Sequence, residues 1–411
     1  MMEHKNRENV SKYTYVHGGD IFRGGIDLDL SVNINPFGMP ESARRAAAES
    51  MDRWEQYPDA LQRNLRNRMS ERLRQEGFPV RTDSLLFGNG ASDLLYSIFQ
   101  ALRPERVLIP IPGFSEYRKA AETVGAEITG LPVFSAESVS AYDDDAVLAA
   151  VRAFAEHLSP VSGAEGDAVF CRKGAADPVP AGTGRHRISG MVILCNPNNP
   201  DGHVRTFDFV RRIFGICQKY GMILLVDESF LWFCTDGKER SALSLWRCAG
   251  HEPEPSGLIV LNAFTKIFAM AGLRLGFMIA DPVIIRQTEE LRQPWSVSVP
   301  AEEAGIACLA EREFVRKTSG EIQIRRNELQ SRLTALGMRC AESFADFVLF
   351  RTEIRDLGDR LRKKGILIRD CSNYAGLGEG WYRAAVKTRE SCERLAAEIG
   401  AIQKENAEKD A

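Results

Sequence analysis

No apolar run in the 411-residue chain reaches the ~18 residues a membrane span needs. Paired-cysteine spacing is also missing. The nine cysteines (Cys171, Cys195, Cys217, Cys234, Cys248, Cys308, Cys340, Cys371 and Cys392) are scattered, with no CxxC among them. That argues against a zinc site or a disulfide framework and favours small buried side chains. No metal is expected. Basic residues are not in excess: 53 Lys and Arg stand against 56 Asp and Glu, a net charge of -3 with His neutral. Nothing in that balance draws nucleic acid or an anionic membrane surface. The opening MMEHKNRENVSKYTYVHGGD lacks the apolar stretch of a secretory signal, and a cytosolic location is expected. What is present reads as a soluble globular protein, 44% hydrophobic and 27% charged. Its length points to two domains.

From about residue 85, short apolar runs alternate with helical periodicity. Val107–Ile109, Met191–Cys195, Met222–Val226, Leu258–Asn262 and Gly276–Ala280 read as buried strands. SDLLYSIFQAL and FDFVRRIFGICQKY read as helices between them. This order predicts an α/β fold with a mainly parallel sheet covered on both faces. After roughly residue 285 the texture changes to long amphipathic helices through 301–335. Short strands near Phe347–Phe350 and Ile366–Ile368 follow, then a charged helix from about 389. That predicts a smaller α+β domain. The expected division is an N-terminal arm over 1–45, a large domain over 46–285 and a small domain over 286–411. Residues 159–188, rich in Gly, Ala and Pro, read as a surface insertion.

Four segments carry chemistry. Leu261-Asn262-Ala263-Phe264-Thr265-Lys266 places a lysine in an apolar setting. A lysine that forms a Schiff base needs a neutral amine, and partial desolvation supplies one. Arg274, eight residues on, suits a phosphate. Ile223–Glu228 ends a buried strand on Asp227, at the edge where open α/β sheets bind ligands. Asp227 fits either a helix N-cap or the partner of a protonated ring nitrogen. Asn196-Pro197-Asn198-Asn199-Pro200-Asp201-Gly202 fits either a plain turn or a turn presenting Asn199 to a cofactor. Phe87-Gly88-Asn89-Gly90-Ala91-Ser92-Asp93 reads as strand, glycine turn and helix start, without the lysine of a P-loop. Phe114, in Pro112-Gly113-Phe114, is a candidate to stack on a flat ring.

In this order the segments GNGASD, NPNNPDG, VDES and FTK with AGLRLG resemble those of fold-type I, class I/II pyridoxal-phosphate (PLP) enzymes. The likeness runs from about residue 16 to 400 and lies near the histidinol-phosphate aminotransferase branch. It implies the aspartate-aminotransferase-like fold and PLP as cofactor. It also implies that Lys266 holds the cofactor, Asp227 pairs with the ring nitrogen and Asn199 meets the ring oxygen O3′. Gly90, Ala91, Ser92, Thr265 and Arg274 would bind the phosphate. Tyr57 would reach the phosphate of a neighbouring subunit in a homodimer with shared active sites. Arg383, in Trp381-Tyr382-Arg383, would bind the substrate carboxylate.

Other segments are similar to L-threonine-O-3-phosphate decarboxylases: His17-Gly18-Gly19-Asp20, Ser31–Gly38, Pro112–Tyr117, Pro294–Val297 and Ile368–Tyr374. Those enzymes make (R)-1-amino-2-propanol O-2-phosphate for cobalamin. Phe230 stands where the histidinol-phosphate branch usually has Tyr. On this likeness His17, Gly18, Gly19 and Asn33 would help bind the phosphate of a small phosphorylated amino acid. Decarboxylation and transamination both remain open at this point. There are departures too. Ala263 replaces a usual Ser or Thr, which should weaken cofactor binding by roughly 1 kcal/mol. Asp201 replaces a usual Thr, and Lys387 a frequent Arg.

Overall fold

The computed structural model describes residues 17–22, 24–137, 139, 142–158, 187–248 and 255–410. Its centre is a seven-stranded sheet. In spatial order the strands are Leu85–Gly88, Gly276–Ala280, Leu258–Ala263, Ile223–Asp227, Gly190–Cys195, Arg106–Ile111 and Glu127–Pro132. Successive side chains of a strand point to opposite faces, and here both sets are buried. Val192, Leu224, Val226 and Val260 enter one core; Ile193, Leu225, Ile259 and Leu261 enter the other. A strand covered on both sides has no polar face, so it reads as an unbroken apolar run. The helix Phe207–Lys219 packs into the first core, and Gly90–Leu102 and Ser115–Thr123 into the second.

The sheet is mainly parallel, as expected. Gly276–Ala280 runs antiparallel to both of its neighbours. That reversal folds the chain back from Ala263 onto Gly276, which pair in register. Lys266 and Arg274 therefore return to one edge of the sheet. Glu127–Pro132 was not anticipated. It is an edge strand with only Leu131 fully buried, so it lacks the apolar run that marks the others.

The C-terminal part holds a four-stranded antiparallel sheet in the order Arg369–Asp370, Trp381–Ala385, Phe347–Arg351, Arg339–Cys340. The long helices Arg312–Ala335 and Arg389–Asp410 accompany it. The N-terminal segment joins this part. Leu28–Asp29 pairs in parallel with Ile366–Leu367, and Leu30 exchanges backbone bonds with Leu367 and Ala385. Ser31 thereby comes close to the strand that carries Arg383. Residues 159–186 of the expected insertion lie outside the described residues. Its last two, Arg187 and Ile188, are tied to the backbone of Arg103 and Leu102. Among the described cysteines, Cys195, Cys217, Cys234, Cys308, Cys371 and Cys392 are buried, and Cys340 is half-buried.

Candidate active site

A cavity of about 610 Å³, counted to its open mouth, lies where the parallel strands end. Its first wall is the N-terminus of the helix Gly90–Leu102, which has no side-chain cap. The amides of a first helical turn have no partners within the helix, and they attract anions. Two glycines let the rest close in. A Cβ on Gly90 would stand 2.5 Å from Arg274 Nη2, and Gly90 has φ +80°. A Cβ on Gly276 would stand 2.4 Å from the Ala91 nitrogen. Arg274 itself holds φ 62°, a strained conformation for a residue with a side chain. Ala91, Ser92, Thr265 and Arg274 all line this end.

Asp227 closes the strand Ile223–Asp227 and also lines the cavity. Tyr117 Oη donates to its Oδ2 at 2.7 Å, and the Ser229 amide donates to Oδ1 at 3.0 Å. Burial raises its carboxyl above the usual range, while those hydrogen bonds and Lys266 pull the other way. No helix begins at Asp227. The next element is the 3-10 turn Leu231–Phe233, capped by Phe230. The N-cap alternative therefore drops out.

Lys266 sits in the short helix Phe264–Ile267 directly after the strand Leu258–Ala263. Its Nζ lies 5.6 Å from the centre of the Phe230 ring. Burial pushes the amine well below the usual lysine range, to about 8, with Arg383 and Arg274 adding to the effect and Asp346 and Asp227 opposing it. The 196–202 segment is a turn that also reaches the cavity. Gly202, at φ +81°, donates to Asn198 O at 2.7 Å, while Asn199 lines the cavity. Asn199 Oδ1 accepts from Arg383 Nη1, which leaves its NH2 group as the donor for the cavity. Arg383 Nη2 donates to Ser31 O at 3.2 Å, and its guanidinium lies 5.1 Å from the Phe347 ring centre.

Phe114 lines the cavity as expected. The remaining residues singled out in the sequence lie outside it. Tyr57 is 78% exposed and stacks on Trp295 at 4.5 Å. His17 Nε2 is 3.0 Å from Glu116 Oε1, with its ring 6.0 Å from that of Phe114. Gly18 packs on Ser31, where a Cβ would stand 2.3 Å from the carbonyl oxygen. The Gly19 amide donates to Ser31 Oγ at 2.7 Å. Asn33 is buried, and its Oδ1 has no partner. Sequence reasoning missed Tyr117, although a signal existed. It stands three residues after Phe114 at the start of a helix, the spacing that puts two side chains together. Their rings meet edge to face at 5.6 Å.

The model for the aminotransferase class I and II family matches residues 26–399. The chain belongs to the class I and II aminotransferases. Within this family it is 29% identical over 402 residues to a threonine-phosphate decarboxylase of Salmonella typhimurium, covering 95% of this chain and 97% of that one. It is 30% identical over 386 residues to a histidinol-phosphate aminotransferase of Chlorobium luteolum, covering 92% and 93%. The solved histidinol-phosphate aminotransferase of Sinorhizobium meliloti, in complex with pyridoxal-5'-phosphate, shares the fold with a TM-score of 0.71, 18% identity and 92% coverage of each chain.

Class I and II aminotransferases use PLP, and the residues here fit it. A helix terminus with Arg274 against it, an amine, a buried carboxylate and an amide donor share one cavity. Gly90→Ala tests the helix terminus directly. The new methyl meets Arg274 and the backbone must hold a left-handed φ, so PLP affinity should fall roughly tenfold or more. Fluorescence titration of the apoprotein with PLP measures this. Unchanged affinity would show that the cofactor phosphate sits elsewhere.

Proposed function

We propose that this chain is a PLP-dependent carboxy-lyase acting on L-threonine O-3-phosphate, giving (R)-1-amino-2-propanol O-2-phosphate and CO2. The observation that carries the reading is the course of the N-terminal segment. Gly18 and Gly19 lie against Ser31, whose carbonyl oxygen accepts from Arg383, and His17 beside them reaches Glu116 next to the cavity's Phe114. A group beside the carboxylate-binding arginine is thereby available to read the far end of the substrate. The similarity to the Salmonella typhimurium decarboxylase over nearly its whole length supports the same reading.

When bound, PLP acts as an electron sink for the substrate bond that stands perpendicular to its ring. The protein's residues decide which bond that is. Arg383 grips the carboxylate with a planar fork and so fixes the rotation about Cα. Asn199, held by Arg383, keeps that arginine in register with the cofactor edge. Asp227 keeps a proton at the ring nitrogen, and Tyr117 holds the Asp227 carboxylate in place. Lys266 Nζ would supply a proton at Cα where the carboxylate is lost as CO2, or remove the Cα proton where amino transfer follows. The substrate phosphate falls to His17, Gly18, Gly19 and Asn33. Tyr57, facing outward, serves a second copy of the chain in a homodimer.

Purified protein with PLP and L-threonine O-3-phosphate should release CO2 without 2-oxoglutarate. The Chlorobium luteolum relative supports a second reading, an aminotransferase. Amino transfer to 2-oxoglutarate with no CO2 would establish it and discard the first.

A further inference from the structure

Asp346 has no part in the mechanism above. It precedes the strand Phe347–Arg351, is 0% exposed, and neither carboxylate oxygen has a hydrogen-bond partner. A buried carboxylate without partners is strongly disfavoured unless counter-charges surround it. Here they do. Lys266, Lys387 and Arg383 act on Asp346, and Asp346 in turn acts on Arg326. Packing places them together. Phe347, the next residue, meets Phe230 edge to face at 5.1 Å, and Lys266 Nζ lies over that same Phe230 ring. The Val386 amide donates to Asp346 O at 2.7 Å, which sets Asp346 beside the end of the strand Trp381–Ala385 that carries Arg383.

The charged groups that face Lys266 are Asp346, Arg383, Arg274 and Asp227. Asp227 is engaged by Tyr117 and Ser229. Asp346 makes no such bond, and of the four it acts most strongly on Lys266. We propose that Asp346 is a positioning residue for Lys266: its carboxylate is the counter-charge that keeps the Lys266 nitrogen cationic between Arg383 and Arg274. This rests on the reading of Lys266 as the lysine that holds PLP. The protonated linkage is the form an incoming amine attacks. Lys387, half-buried and facing Asp346 and Asp29, competes for the same carboxylate.

The test is an absorbance titration of the PLP-loaded protein against pH. Asp346→Asn should lower the midpoint of the lysine–cofactor linkage by roughly one pH unit, the size of a lost neighbouring charge. Lys387→Gln should raise it, because Asp346 then serves Lys266 alone. An Asp346→Asn midpoint equal to or above that of the unaltered protein overturns the proposal. So does a Lys387→Gln midpoint that stays or falls, and that variant carries the test if Asp346→Asn does not fold. Imine absorbance that persists unchanged in Lys266→Ala, or that is missing from the PLP-loaded unaltered protein at every pH, would instead overturn the reading of Lys266 itself.

Discussion

Lys266→Ala should lower turnover by roughly 10⁴-fold or more, since one side chain both holds the cofactor and moves the proton at Cα. The variant should still bind PLP through the proposed phosphate nest of Ala91, Ser92 and Arg274, but release it on gel filtration. Retained linkage absorbance together with full turnover would end the assignment. The unaltered apoprotein gives the same argument a pH dependence. Only the neutral amine attacks the PLP aldehyde, and burial brings the Lys266 amine to about 8. Below that pH the amine is mostly protonated and capture is slow. Capture should therefore speed up as pH rises through about 8 and then level off. Stopped-flow absorbance measures the rate, and a flat profile would show that Lys266 is not the limiting nucleophile.

Arg383→Ala is the second large effect. On the proposed role of Arg383 in holding the substrate carboxylate, removing its charge should cost about 2–5 kcal/mol, roughly 30- to 4,000-fold in kcat/KM. Two further consequences set it apart from a simple loss of affinity. Asn199 loses the partner that orients its amide, so the spectrum of bound PLP should shift. The carboxylate also loses its fixed rotation. The ratio of amino transfer to CO2 release should rise, and counting pyridoxamine phosphate formed per CO2 released measures it. A variant with unchanged partition would mean that another residue sets the rotation.

The large sheet was legible because its strands are buried on both faces and show it as apolar runs. Glu127–Pro132, an edge strand with Gly130 and Pro132 within it, gave no such run. The strand Trp381–Ala385 was missed for a different reason. WYRAA mixes an arginine into a buried segment, because that arginine is bonded inside the protein to Asn199 and Ser31. The residues that line the cavity were legible as an ordered set of turns at strand ends. Tyr117 ends the Pro112–Tyr117 segment but was not read as a site residue, and Asp346 lies in no motif. One is tied to Asp227 by a hydrogen bond across 110 residues. The other matters through charge in a dry interior, which spacing along a chain does not encode.

The reversed strand Gly276–Ala280 joins distant parts of the chain. It lies between Leu85–Gly88 and Leu258–Ala263, and it brings Gly276 against Ala91 and Arg274 against Gly90. The two halves of that nest stand far apart along the chain, and this one strand is what joins them. A chain lacking it would keep the helix terminus but have nothing to hold Arg274 against Gly90.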